Sequence, residues 1–325
     1  LTKLPQHVYN MQTTLTPSAA EAAAILNEGG VVAFPTETVY GLGASICHPE
    51  AINQIFRAKG RPSDNPLIVH IANVEQLEDV VTEITPDAAR LIECFFPGPL
   101  TLVLRKHPRV PETVTAGLQT VGIRCPSNAV AREFLRLAHY PVAAPSANRS
   151  GLPSATNWEA VYQDLNGKID AVLCGTPSAI GLESTIVDCS CSTPLLLRAG
   201  SITLEQLKEV VPEITVATKG DQASAPKSPG LKYPHYAPKA TIILYHPGEV
   251  PVTTAVFASI GITEPPTGVA LYKQCTTLDE YGHELFSFFR RCDTEGIETI
   301  YCELPSNEGL GRAIRDRLMR AAGHV

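Results

Sequence analysis

Four cations stand where turns or strand ends would expose them: Lys59, Arg61, Arg124 and Arg198. Lys59 and Arg61 lie two residues apart in Lys59-Gly60-Arg61-Pro62, which runs on into Ser63-Asp64-Asn65-Pro66-Leu67. Hydroxyl-rich turns accompany them at Thr36–Thr38, Ser146–Asn148 and Glu183-Ser184-Thr185. Paired cations, hydroxyls and turn amides are the groups that hold a polyanion, and arginine adds a planar fork matched to phosphate and carboxylate. Taken singly, each has a plainer reading. One cation is a solvated charge, one hydroxyl a turn cap, and His70 inside an apolar run a satisfied core histidine. Together they imply a pocket for an anionic small molecule, with a nucleotide the leading class. No G-x-x-x-x-G-K-[ST] is present, so the pocket is not a P-loop.

The elements that must position these groups alternate. Val31–Phe34 reads as a buried strand delivering Pro35-Thr36-Glu37-Thr38-Val39-Tyr40-Gly41-Leu42-Gly43 from its end. Glu50–Ala58 has helical spacing and leads to Lys59 and Arg61. Leu67–Ile71, Leu100–Arg105, Val121–Arg124, Val142–Ala144, Ala171–Leu173, Thr185–Asp188 and Leu195–Arg198 read as strands. Helices are expected at Ser18–Leu26, Ala88–Phe95 and Ala129–Ala138. This pattern predicts an α/β domain with a twisted mixed sheet over residues 1–211.

Residues 212–240 are small, polar and proline-rich, as a linker would be. They end, however, in Leu231-Lys232-Tyr233-Pro234-His235-Tyr236-Ala237-Pro238, which is too functional for a spacer and predicts docking. From residue 241 to 325 the pattern restarts. Strands at Ile242–Tyr245, Val269–Tyr272 and Thr299–Cys302 are expected, with helices near Val252–Ser259, Leu278–Arg291 and Gly311–Ala322. That spacing predicts a small parallel, Rossmann-like sheet.

Composition narrows the class. The 325 residues are 44% hydrophobic and 18% charged, as in globular proteins, with a net charge of −7. An acidic chain without an aromatic-plus-basic stripe argues against a broad nucleic-acid face, which leaves RNA docking in the same cavity as the rival reading. Nine irregularly spaced cysteines, without C-x-x-C, read as reduced, mostly buried thiols of a cytoplasmic protein. No run is long and apolar enough for a membrane span, and no signal peptide is visible.

Pro35–Gly43, Lys59-Gly60-Arg61-Pro62 with Asn65-Pro66-Leu67, Phe96-Pro97-Gly98-Pro99-Leu100-Thr101, Pro145-Ser146-Ala147-Asn148 and Glu183–Asp188 resemble the YrdC/Sua5 family. Its K-x-R…S-x-N signature is met by Lys59, Arg61, Ser146 and Asn148, and the linker with its extra domain resembles the longer Sua5 branch. The resemblance implies a nucleotidyltransferase. L-threonine, bicarbonate (or CO2) and ATP, with Mg²⁺ carried on the phosphates, would give L-threonylcarbamoyladenylate and pyrophosphate for tRNA t6A modification. It further implies that Lys59 and Arg61 are catalytic. Thr38, His70, Arg124, Ala144 and Ser184 would bind threonine, with Arg124 paired to its carboxylate. Arg61, Asn65, Thr120, Ser146, Asn148, Ser154, Arg198 and Tyr236 would bind ATP, Tyr236 from a linker folded back over the cavity. The product would pass to the t6A transferase machinery, and no stable nucleic-acid binding is expected.

Overall fold

The computed structural model of the protein describes residues 12–218, 235–247, 249, 256–264 and 267–324. Its first sheet has eleven strands. They are β1 (Thr14–Thr16), β2 (Val32–Phe34), β3 (Gly41–Ser45), β4 (Ile68–His70), β5 (Leu100–Arg105), β6 (Thr120–Arg124), β7 (Val142–Ala144), β8 (Ala171–Leu173), β9 (Thr185–Asp188), β10 (Leu195–Arg198) and β11 (Thr215–Val216). In space they run β1-β8-β2-β3-β7-β4-β6-β5-β9-β10-β11, mixing parallel and antiparallel pairs. The second sheet is four-stranded and parallel, with β12 (Thr241–Tyr245), β13 (Ala258–Gly261), β14 (Leu271–Gln274) and β15 (Thr299–Glu303) in the order β12-β15-β13-β14. The expected class, a large mixed sheet joined to a smaller parallel one, is the class observed.

Ten helices cover the sheets among the described residues: α1 (Ala19–Asn27), α2 (Pro49–Lys59), α3 (Leu77–Val80), α4 (Pro86–Phe95), α5 (Glu112–Thr115), α6 (Ala129–Leu137), α7 (Trp158–Leu165), α8 (Leu204–Val210), α9 (Leu278–Thr294) and α10 (Gly309–Ala321). Their starts follow capping chemistry. Ser18, Thr85, Asn128, Asn157 and Thr277 each accept a backbone N–H of the first turn, and Pro49 opens α2 without an N–H to lose. The end of α2 matters most for the site. Gly60 adopts φ +62° and Arg61 N–H donates back to the Phe56 carbonyl at 3.0 Å. This left-handed close leaves Lys59 in the helix's last turn and turns Arg61 away from it.

Three elements differ from the sequence reading. Gly41–Ser45, expected as part of a turn, is the buried strand β3; two of its five residues lack a side chain, so alternation leaves no mark. The expected helix near Val252–Ser259 is corrected: Ala258–Gly261 is the interior strand β13, paired with both β14 and β15. A strand buried on both faces has no polar face, so its run does not distinguish it from a helix. Residues 252–255 of that stretch lie outside the described ones. Finally, β11 falls within the stretch read as linker and forms the first sheet's edge. All nine cysteines are free, and Cys125, Cys189, Cys275, Cys292 and Cys302 are buried.

The two units share apolar packing. Val39 and Leu182, from loops of the first, lie in one cluster with Tyr236 and with Phe286 and Ile314 of α9 and α10. The seam is tight at Gly181, where φ is +78° and an added Cβ would stand 2.6 Å from the His283 backbone.

Candidate active site

Strand register builds the floor of the site. β4 pairs with β6 so that His70 faces Arg124, and with β7 so that Ile68 faces Ala144. Directly opposed residues share a face, and residues 68 and 70 share it through the two-residue period. Ile68, His70, Arg124 and Ala144 therefore rise together into one cavity. Loops after β2, β7 and before β9 add Thr36, Thr38, Ser146, Asn148, Ser154, Glu183 and Ser184; the turn after α2 adds Arg61, β10 adds Arg198, and His235 and Tyr236 complete the wall.

At one end, Arg124 is held on three sides. Its Nη1 donates to Thr38 Oγ1 at 2.6 Å, its Nη2 to Glu37 Oε1 at 2.6 Å, and its Nε to the Gly98 carbonyl at 3.4 Å. A guanidinium carries five N–H groups, so both terminal nitrogens keep a second hydrogen for a ligand. Burial alone would raise the Glu37 carboxyl, but the Arg124 cation beside it holds it below the usual range. His70 is pushed down to about 3, by burial first and then by Arg124, and is neutral. Thr36 Oγ1 and Thr38 Oγ1 lie 2.9 Å apart, which orders this turn.

At the other end, Arg198 Nε donates to the Ser184 carbonyl at 3.0 Å and Nη2 to Ser184 Oγ at 3.1 Å. Ser184 Oγ also lies 2.8 Å from Thr101 Oγ1. Ser154 Oγ donates to Glu183 Oε1 at 2.5 Å. Arg61 Nη2 donates to the Pro66 carbonyl at 3.1 Å, fixing the guanidinium over the Asn65-Pro66 turn. His235 is pushed down to about 4 by burial and by the nearby Arg61 cation. Asn148 Oδ1 and His235 Nε2 are buried without a hydrogen-bond partner, which marks both as polar atoms available to a ligand.

Of the residues expected from the sequence, Thr38, His70, Arg61, Arg124, Ala144, Ser146, Asn148, Ser154, Ser184, Arg198 and Tyr236 all line this cavity. Three stand elsewhere. Lys59 is buried beneath it, donating from Nζ to the Ser146 carbonyl at 2.6 Å and the Asn148 carbonyl at 2.5 Å. Burial, then the Arg61 cation, push its ammonium well below its usual value. Asn65 is buried behind Arg61 with Oδ1 unpartnered. Thr120 opens β6, half-buried, opposite Arg105 and off the cavity wall. Of the linker expected to fold over the cavity, Tyr236 and His235 line it, while residues 219–234 lie outside the described ones.

Glu37, Glu183 and His235 belong to the site without having been expected there: Glu183 and His235 line the cavity and Glu37 bonds Arg124. Their signal was a charged or titratable residue between small turn residues. Among the described residues no group of three or more His, Cys, Asp or Glu could hold a metal ion. No helix of the described residues is long and apolar enough to cross a membrane.

Comparison with known proteins agrees with this geometry. Residues 24–200 match the Sua5/YciO/YrdC family described as "Telomere recombination", and residues 202–323 match the "Threonylcarbamoyl-AMP synthase, C-terminal domain". The chain is 44% identical to a threonylcarbamoyl-AMP synthase of Bacillus subtilis over 96% of this chain and 94% of that one. It is 41% identical to one of Pyrococcus abyssi, over 93% of both. It superposes on the crystal structure of P. abyssi Sua5 complexed with L-threonine with a TM-score of 0.86 and 39% identity, covering 97% of this chain and 98% of the other.

Proposed function

The chain belongs to the Sua5/YciO/YrdC family and carries the C-terminal domain of threonylcarbamoyl-AMP synthases; from that membership we propose that it makes L-threonylcarbamoyladenylate for tRNA t6A modification. The substrates are L-threonine, bicarbonate or CO2, and ATP, and the second product is pyrophosphate. The observation that carries the reading is one cavity lined by three fixed cations, Arg124 among Thr38, His70 and Ala144, Arg198 bonded to Ser184, and Arg61 with Ser146, Asn148 and Ser154.

The chemistry needs no nucleophilic side chain. The threonine amine captures CO2 to give an N-carboxy group, whose oxygen attacks the α-phosphorus of ATP as the bond to the pyrophosphate oxygen breaks. Carboxylate, carbamate and triphosphate repel one another, so fixed cations supply much of the catalysis and orientation the rest. Arg124 pairs through its second Nη hydrogens with the threonine carboxylate, while neutral His70 adds no charge there. Arg61 and Arg198 face the phosphates, with Ser146, Asn148, Ser154 and Tyr236 around the nucleotide.

Lys59 serves from beneath, holding the Ser146–Asn148 turn in place. Asn65 backs Arg61, and Thr120 would reach ATP only from the cavity rim. Mg²⁺ would come on the phosphates and neutralise charge there; Asn148 Oδ1 is a neutral oxygen suited to its hydration shell. The division into 1–211, 212–240 and 241–325, a cytoplasmic location and delivery of the product to the t6A transferase machinery complete the proposal.

The test is pyrophosphate release from ATP with L-threonine and bicarbonate each present or omitted. Release that requires both is expected. Release without threonine would point to another acyl acceptor, and none under any condition would overturn the reading.

A further inference from the structure

α10 carries a cation where its apolar stripe calls for an aliphatic residue. Arg317 follows Ala313 and Ile314 by four and three residues, adjoins Leu318, and is 0% exposed like them. A buried cation persists only where its surroundings compensate it. Here most of the compensation comes from the other unit. Arg317 Nε donates to Glu183 Oε2 at 2.8 Å and Nη2 to the Ala199 carbonyl at 3.0 Å, while Nη1 meets Asp316 Oδ2 at 2.5 Å. The guanidinium carbon also stands 5.4 Å from the centroid of the Tyr236 ring, which stacks on Phe286 of α9 at 5.2 Å. Tyr236 has φ +68°, a conformation an L-residue keeps only where its surroundings hold it. α9 braces the same region: Arg290 Nη2 donates to the Pro153 carbonyl at 2.6 Å, beside Ser154, and to Asp164 Oδ2 at 2.8 Å.

We infer that Arg317 is a positioning residue through which the C-terminal unit shapes the nucleotide half of the cavity. It is the cation bonded to Glu183, whose carboxylate would otherwise face a triphosphate with Arg198 as its remaining neighbouring cation. Through Glu183 it orients Ser154, and through its own face it holds Tyr236. The Arg124 end, built entirely within the first sheet and its loops, does not depend on it. This assignment rests on the proposed use of ATP.

The test compares wild type, Arg317→Lys, Arg317→Met and Arg317→Met/Glu183→Gln. Calorimetry measures binding of α,β-methylene-ATP and, separately, L-threonine, alongside pyrophosphate release. Arg317→Met should weaken the nucleotide analogue by about tenfold or more and threonine by less than about twofold. Arg317→Lys should fall between, and the double variant should recover most of the loss, because its cavity no longer holds an unpaired carboxylate. Unchanged nucleotide affinity in Arg317→Met and Arg317→Lys, equal loss of both ligands, or a double variant no better than the single one would overturn the inference. If Arg317→Met does not fold, Arg317→Lys decides by the same nucleotide-against-threonine split. A wild type that releases no pyrophosphate refutes the proposed function itself, whereas an active wild type with indifferent variants refutes only the role of Arg317.

Discussion

The two ends of the cavity solve one problem in opposite ways. Each places a buried arginine beside a buried carboxylate, and each carboxyl is held below its usual range by the cations around it against the raising effect of burial. At the first end, Glu37 and Arg124 both belong to the first sheet and its loops, and Thr38 and Gly98 complete the set. At the second, Glu183 takes its partner from a helix of the other unit. One end is self-contained and the other borrowed. The difference locates where the C-terminal unit contributes: to the charge beside Glu183, with no hydrogen bond to Arg124 or Glu37 among the described residues.

Several variants would break or sharpen this contrast. The largest effect is expected from Arg61→Ala, which removes a fixed cation from the developing charge and should cut pyrophosphate release by about 10²–10³-fold. Arg124→Met should act at the other end, raising the KM for threonine by about 100-fold while the KM for ATP changes little. It also strands Glu37, so a Glu37→Gln second substitution should restore part of the lost stability, measured by urea unfolding. Lys59→Met leaves two turn carbonyls without their donor and should cost about 1–3 kcal/mol in the same assay. A slower reaction would accompany that loss, because the Ser146–Asn148 turn loosens.

A further effect is on pH dependence. His70 and His235 stay neutral in the fold but take up protons near 6.5 when unfolded. Stability should therefore be fully present above pH 6.5 and fall as pH drops towards about 4. The slope is at most about 1.4 kcal/mol per pH unit for each histidine. Unfolding midpoints at pH 7 and pH 5 check this, and His70→Asn should flatten the slope.

Much of the cavity was legible in the sequence because its residues sit in dense local motifs. Pro35–Gly43, Lys59–Pro62 and Pro145–Asn148 announce turns through proline, glycine and hydroxyls, and turns at strand ends are where ligands bind. Strand β3 stayed hidden because its glycines carry no pattern, and β13 because uniform burial looks the same in either period. The placement of Lys59 was hidden for a different reason. Sequence spacing shows that two cations are close, but only the left-handed turn at Gly60 decides that one enters the cavity and the other supports it from below. Arg317 left a faint trace, a charge on the apolar stripe of an amphipathic helix. Its partner lies 134 residues away, beyond the reach of any local pattern.

That separation also sets an order of events during synthesis. At about 5–20 residues per second, Arg317 is added roughly 7–27 s after Glu183. Until α10 has been made, the Glu183 carboxylate of the growing chain lacks the buried cation that it pairs with in the finished fold.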